Sequence, residues 1–542
     1  MKNILSRLAL LILLSSITIP ASAQKKLSPE DVITSDDLES YVSFLASPLL
    51  KGRGNGDPGL EIAQSFIVSQ ARLLGLKPAN GTSYYQSYNI IKNSIDPDKS
   101  KIEIISGDNK IVTIKEPVYQ LIPVTPSDFT VEGEVIFAGY GLKQDKYGYN
   151  DFENINPEGK ILLVMNSAPS SEDGKFVFET ANWDSFMSIQ VKLTYMLFTR
   201  AKAILFVMDP KSGVSSLEEK YPGISGELGG SKHLKGEKPV DFQMPGMPKI
   251  LYVHRSVADE LLRGTGHTLD ELQKAIDSSL RPRSFEIPGK KLVFTEVLKT
   301  EDIILSNVAA YIEGSDPGLK KEFVIFSAHA DHIGTSGGIV NPGADDNASG
   351  CAALLSIAKA FQSLDKKPLR SVLFLWVSGE EIGLLGSKTY IDNPLVPLNN
   401  SVANINIDMI GRIKGVADTT ADTPMTGPYG VFLITGNQSR ELVAIADNID
   451  KTTGLDFDYS LSGRRHHLQL FARSDHYNFV KRDIPVLFFS TGLHTDYHKP
   501  GDVVEKIDFK KMELITEAIF RIGYTVADKR TRIVVDNPFS KW

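Results

Sequence analysis

From Leu305 onward, short apolar runs alternate with longer stretches of helical period, and this alternation limits the possible folds more tightly than anything else in the chain. The runs Phe323 to Ser327, Ser371 to Val377, Val402 to Ile407 and Pro485 to Phe489 read as apolar strands, the third interrupted by Asn404 and Asn406. Helical patterns cover Ala348 to Leu364, Leu384 to Ile391, Arg440 to Thr453 and Lys511 to Asp528. The alternation predicts an α/β architecture: a mixed, mostly parallel sheet flanked by helices, with ligands gathering outside the carboxyl ends of the strands.

Each of these strands runs into metal-capable residues. Phe323 to Ser327 leads into Ala328-His329-Ala330-Asp331-His332, and the next loop, Gly343-Ala344-Asp345-Asp346-Asn347-Ala348-Ser349-Gly350, opens a helix. Ser371 to Val377 leads into Gly379-Glu380-Glu381, Val402 to Ile407 into Asp408, and Pro485 to Phe489 into His494, Tyr497 and His498. Imidazoles and carboxylates without thiolates are the donor set of a catalytic zinc site, and carboxylates can bridge two cations. Any one of these acids alone reads as a helix cap or a loop residue. Their agreement at successive strand ends points to a metal site.

The strings AHADHIG, GADDNASG, GEEIGLLGS, NIDMIG, SDHYNF and YHKPGD, in this order, resemble the family of two-zinc aminopeptidases (metallopeptidase family M28) that includes aminopeptidase Y, bacterial leucyl aminopeptidases and glutamate carboxypeptidase. FLASPLLKGRGNGDPG and GLKPANGTSYYQ resemble the amino-terminal piece of its catalytic domain. FAGYGL, YNDFENINPEGKILLV and AKAILFVMD are similar to the β-rich protease-associated domain inserted in such enzymes. The resemblance implies the zinc exopeptidase fold, two Zn2+ per chain and peptide substrates. It implies that His329 and Asp408 hold one zinc, that Glu381 and His498 hold the other, and that Asp346 bridges them. It assigns Glu380 as the general base, Asp331 as the carboxylate orienting His329, and Tyr497 as a donor to the oxyanion. His332, His476 and His494 receive no ligand place and are read as supporting or loop residues, and Asp345 as a turn or cap residue.

A chain of 542 residues calls for more than one core. The expected division is a signal peptide over 1–23, the amino-terminal part of the catalytic domain over 28–117, a protease-associated-like domain over 118–288, and the zinc peptidase domain over 300–530. Lys2 and Arg7, the apolar run Leu8 to Ile19 and the small residues Ala21 and Ala23 before Gln24 carry the signal-peptide reading, which implies an exported protein, periplasmic or secreted. One amphipathic helix is expected between Asp36 and Gln86, through Leu60, Ala63, Ile67 and Ala71. Gly223 to Lys238 reads as an exposed loop. Net charge is -7, which argues against nucleic acid and against anionic membrane surfaces as partners. The single cysteine, Cys351, excludes an intrachain disulfide and reads as a small core residue.

Aminopeptidase activity is the leading expectation. A carboxypeptidase of the glutamate type would need a cationic pocket, for which Arg464, Arg465 and Arg473 are candidates, although they also read as a solvated basic loop. A glutaminyl cyclase or a non-catalytic binding relative is disfavoured because all five ligand positions are filled. Gly334-Thr335-Ser336-Gly337-Gly338 fits the serine-hydrolase pattern only weakly, lying in a Gly-rich loop and not at a strand-to-helix elbow. Gly52-Arg53-Gly54-Asn55-Gly56 lacks a phosphate-loop lysine, which disfavours a nucleotide site.

Overall fold

The computed structural model of the chain describes residues 28–541 apart from 117, 121–127, 184–187, 222–223, 225–229, 238–246, 417, 419–423 and 464–465. The expected signal peptide, and Arg464 and Arg465, lie outside the described residues. Among the described residues no helix is long and apolar enough to cross a membrane.

The larger sheet is mixed. At its centre Ser371–Val377, Phe323–His329, Ser401–Ile407 and Val486–Ser490 lie side by side in that order, all parallel. Leu298–Ile312 and then Tyr85–Ile95 extend it antiparallel on one side, and Gly430–Ile434 does so on the other. The central strands are buried on both faces, and successive residues serve different cores. Val324, Phe326 and Ala328 join one apolar cluster while Ile325 joins the other, and Phe374 and Trp376 oppose Leu373 and Leu375 in the same way.

Helices Gly350–Ser363, Phe509–Asp528 and Ser35–Leu45 cover the first face; Leu385–Asp392 and His476–Val480 cover the second. Cys351 is buried in the first of these helices, and its thiol donates to the carbonyl oxygen of His329. The amino-terminal region contains two helices, not one: Ser35–Leu45 precedes Pro58–Leu73. Thr34 caps the first by accepting from the Asp37 amide, and Leu38, Val42 and Leu45 form its buried stripe. That stripe is short and set among acidic residues, so its helical period is faint in the sequence.

A second sheet has its own apolar clusters. Its central strands Phe129–Phe137, Ile161–Met165, Ala203–Val207 and Lys249–Val253 are parallel, while Phe285–Glu296, Lys101–Ser106 and Ile111–Ile114 extend it antiparallel. It therefore takes strands from both sides of 118–288. The chain passes between the sheets at Asp96 and Val297, where the Asp96 amide donates to the Val297 carbonyl at 2.8 Å. The expected loop over Gly223 to Lys238 is corrected in part: Gly230–Leu234 is a strand, paired antiparallel with Tyr85–Ile95 at the edge of the larger sheet. Pairing with a free edge overrides weak local preference.

Candidate metal centre

The strand ends converge. His329 is the last residue of its strand, Asp408 follows Ser401–Ile407 directly, and the turn carrying Glu380 and Glu381 follows Ser371–Val377. Asp346 comes from the turn before helix Gly350–Ser363, and His498 from the loop beyond Val486–Ser490. This is the carboxyl edge of the parallel strands, where open α/β sheets place their ligands.

Two donor groups share one carboxylate. The ligand atoms of His329, Asp346 and Asp408 lie within 4.8 Å of one another, and so do those of His332, Asp346, Glu381 and His498. His329 Nε2 lies 3.3 Å from Asp346 Oδ1 and 3.2 Å from Asp408 Oδ1. His498 Nε2 lies 3.2 Å from Asp346 Oδ2 and 3.1 Å from Glu381 Oε2. Each oxygen of Asp346 thus faces a different imidazole.

These residues fit divalent cations of the zinc type. The donors are imidazole and carboxylate only, and they are mostly buried. His498 Nε2 sits close to two carboxylates yet has hydrogen-bond geometry to neither, as atoms aimed at a common point between them do. Such a concentration of acids strains the ionisation of its members. Burial, followed by the charges of Glu381, Asp475 and Asp408, pushes the Glu380 carboxyl well above its ordinary value, against the pull of His329. Burial also works against charge on His498, but Glu381 and Asp346 outweigh it and raise the imidazole to about 10. A cation among these groups would relieve the repulsion between the carboxylates.

The remaining residues of the sequence reading are also here, with different contacts. The His329 Nδ1 atom faces the Asp331 backbone carbonyl at 3.1 Å, while the Asp331 carboxylate is 3.9 Å away. That carboxylate instead accepts from the Glu380 amide at 3.3 Å, the Glu381 amide at 3.2 Å and the Asn55 side chain at 2.6 Å. The Tyr497 ring stacks on His498, and its hydroxyl accepts from Arg473 at 3.3 Å. His494 is buried 3.5 Å from Asp345, whose other oxygen accepts from the Gly411 amide. His476 lies in the core, stacked on Phe488 and hydrogen-bonded to the Phe471 carbonyl.

His332 is the residue that sequence reasoning placed outside the donor set. It is buried, with Nδ1 2.8 Å from Glu381 Oε1 and 3.6 Å from Asp346 Oδ2. Its position in the string AHADHIG, three residues after His329, was the available signal. Beside the cluster Met409, Ile434, Leu470, Phe488 and Leu493 line an apolar wall of the same cleft, which also contains Arg473 and Tyr497.

Residues 307–522 match the family model described as peptidase family M28. Leucine aminopeptidase 2 of Trichophyton equinum is 29% identical over 249 residues, covering 41% of this chain and 44% of that protein. A probable leucine aminopeptidase of Arthroderma otae is 29% identical over 221 residues, covering 39% and 56%. The chain thus spans about half the length of the curated relatives it matches. Among solved structures, an aminopeptidase from Aneurinibacillus sp. strain AM-1 superposes with a TM-score of 0.51 at 16% identity, covering 94% of this chain and 97% of that one. BSAP, a zinc aminopeptidase from Bacillus subtilis, gives 0.52 at 18% identity over 92% and 96%. At such identity the likeness is one of fold, and it extends over both sheets. The matched segment, residues 307–522, holds every strand end of the cluster, and it is this segment that is similar to peptidase family M28.

Proposed function

We propose that this protein is a zinc-dependent aminopeptidase that releases single residues from the amino end of peptides. The observation that carries the reading is Asp346, whose two oxygens each face a separate donor group. His329 and Asp408 would hold one ion, Glu381 and His498 the second, with Asp346 between them. Zinc held by these residues would supply Lewis acidity to the scissile carbonyl and would favour ionisation of the attacking water. Glu380 is half-buried beside this cluster and raised in pKa, so it can take a proton from the attacking water and pass it to the leaving amine. Tyr497 offers its hydroxyl to the oxyanion, and Arg473, which donates to that hydroxyl, favours its role as a donor. Met409, Ile434, Leu470, Phe488 and Leu493 form a surface for an apolar terminal side chain.

Arg473 in the cleft also suits a carboxypeptidase that grips an acidic substrate end, and one experiment separates the two. Purified protein is incubated with a leucyl peptide, the same peptide acetylated at its amino end, and the same peptide amidated at its carboxyl end. Release of leucine that acetylation abolishes and amidation spares supports the aminopeptidase. The opposite pattern overturns it. The reading extends to export from the cell, as the amino-terminal segment suggests, and to a protease-associated-like role for the second sheet as a cover that limits substrate length.

A further inference from the structure

The Gly-rich run Gly52-Arg53-Gly54-Asn55-Gly56 takes no part in the chemistry above, yet it threads directly behind the cluster. Lys51, Gly52 and Arg53 have φ of 49°, 70° and 50°, a left-handed path that side chains adopt only where their surroundings impose it. A Cβ on Gly52 would stand 2.3 Å from the Asn341 carbonyl oxygen and 2.6 Å from that of Gly334, so only glycine passes. The backbone continues alongside the metal loop: the Gly52 carbonyl accepts from the Gly334 amide at 3.0 Å, and the Arg53 carbonyl accepts from the His332 amide at 3.1 Å.

The two polar side chains of this run reach every ligand-bearing turn near it. Arg53 is 1% exposed. Its guanidinium donates to the carbonyls of Ala330 at 2.9 Å, Leu45 at 2.5 Å, Pro342 at 2.8 Å, Gly343 at 2.9 Å and Asp346 at 3.3 Å. A buried cation that spends all these bonds on backbone carbonyls is suited to holding loops in register. Asn55 donates to Asp331 Oδ2 at 2.6 Å and accepts from the Gly379 amide at 2.9 Å. Asp331 in turn accepts from the amides of Glu380 and Glu381, so Asn55 and Asp331 together grip three successive amides of the turn.

We infer that Asn55 and Arg53 are the positioning residues of the metal centre. Asn55 fixes the Glu380–Glu381 turn against the end of the His329 strand, and Arg53 fixes the loop that carries Asp346. Donor separations in a site of this kind are set by such outer bonds, because a carboxylate displaced by a fraction of an ångström no longer meets its ion. The inference rests on the metallopeptidase reading.

The test uses the full chain with Asn55→Leu, which keeps the volume and removes both bonds, and with Arg53→Lys, which keeps the charge and cannot span the carbonyls. Zinc affinity is measured by chelator competition, the cobalt-loaded protein by visible absorption, the kinetics on an unblocked leucyl peptide, and folding by thermal unfolding of the metal-free protein. Asn55→Leu should unfold cooperatively, bind zinc roughly 10- to 100-fold more weakly, alter the cobalt spectrum, and lose kcat more than it changes KM. Wild-type affinity and spectrum in folded Asn55→Leu would overturn the inference. Where Asn55→Leu fails to fold, Arg53→Lys decides on the same readouts. Wild-type protein that binds no zinc would remove the metallopeptidase reading and this inference with it, a result distinct from an unaltered variant.

Discussion

Glu380 and Glu381 are neighbours in sequence that both lie near His329, with ligand atoms within 4.8 Å of one another, but their further contacts differ. Glu381 lies 3.1 Å from His498 Nε2 and 2.8 Å from His332 Nδ1, whereas Glu380 is crowded by the charges of Glu381, Asp475 and Asp408. Glu381→Gln should therefore lose zinc, while Glu380→Gln should keep it and lose roughly a hundredfold or more in turnover, the scale of a missing general base. Metal analysis beside kcat decides, and the reverse pattern would exchange the two roles. His476 permits a pH prediction. Burial lowers its pKa to about 3, so the folded state refuses a proton that the unfolded chain takes near 6.5. Its neutral form is stabilising above that pH, and the benefit is lost as pH falls from about 6.5 toward 3, by at most ~1.4 kcal/mol per unit. The stability difference between wild type and His476→Leu, followed by denaturant unfolding, should shift against the wild type on acidification. A difference independent of pH between 6.5 and 4 would contradict this.

At the scale of elements, helix Phe509–Asp528 shows a conflict between local preference and packing. Gly523 is buried within it, where alanine would ordinarily stabilise a helix by about 1 kcal/mol. A Cβ there would stand 2.1 Å from the ring of Phe326, whose strand lies beneath the helix. Overpacking of this kind costs about 1–3 kcal/mol, so Gly523→Ala should destabilise on balance and lower the Tm. An unchanged or raised Tm would show that Phe326 moves aside freely. The same element shows what periodicity reveals. Its long stripe, Met512, Ile515, Ile519, Ile522 and Val526, is plain in the sequence, whereas the shorter stripe of Ser35–Leu45 is not.

For the whole molecule, the two sheets are joined where Asp96 and Val297 meet, so the second sheet can be removed with little disturbance to chain direction. Replacing residues 97–296 by a short flexible linker should spare zinc binding, because the donor residues all lie in 329–498. On the proposed cover reading it should also change the preference between short and long peptides. Loss of the metals from a folded truncation, or unchanged efficiency at every length, would end the cover reading. The excision also removes Gly230–Leu234 and frees the edge of Tyr85–Ile95, so solubility of the truncation is checked by size exclusion.

The sequence by itself determined the central parallel strands, the helices that alternate with them, and the acids and imidazoles that follow each strand. These are encoded locally, in runs of Val, Ile, Leu and Phe and in the residues next along the chain. Tertiary structure alone decided the rest. It brought His332 to 2.8 Å from Glu381, gave the Asp331 carboxylate to the Glu380 and Glu381 amides and to Asn55, and turned part of an expected loop into the strand Gly230–Leu234. It also gave the Gly52-to-Gly56 run a place behind the cluster, with Arg53 bonded to carbonyls as far away in sequence as Asp346. The physical reason is the range of the interactions: periodicity and strand-end position act over a few residues, whereas a carboxylate's partners are whichever donors the folded chain delivers to it.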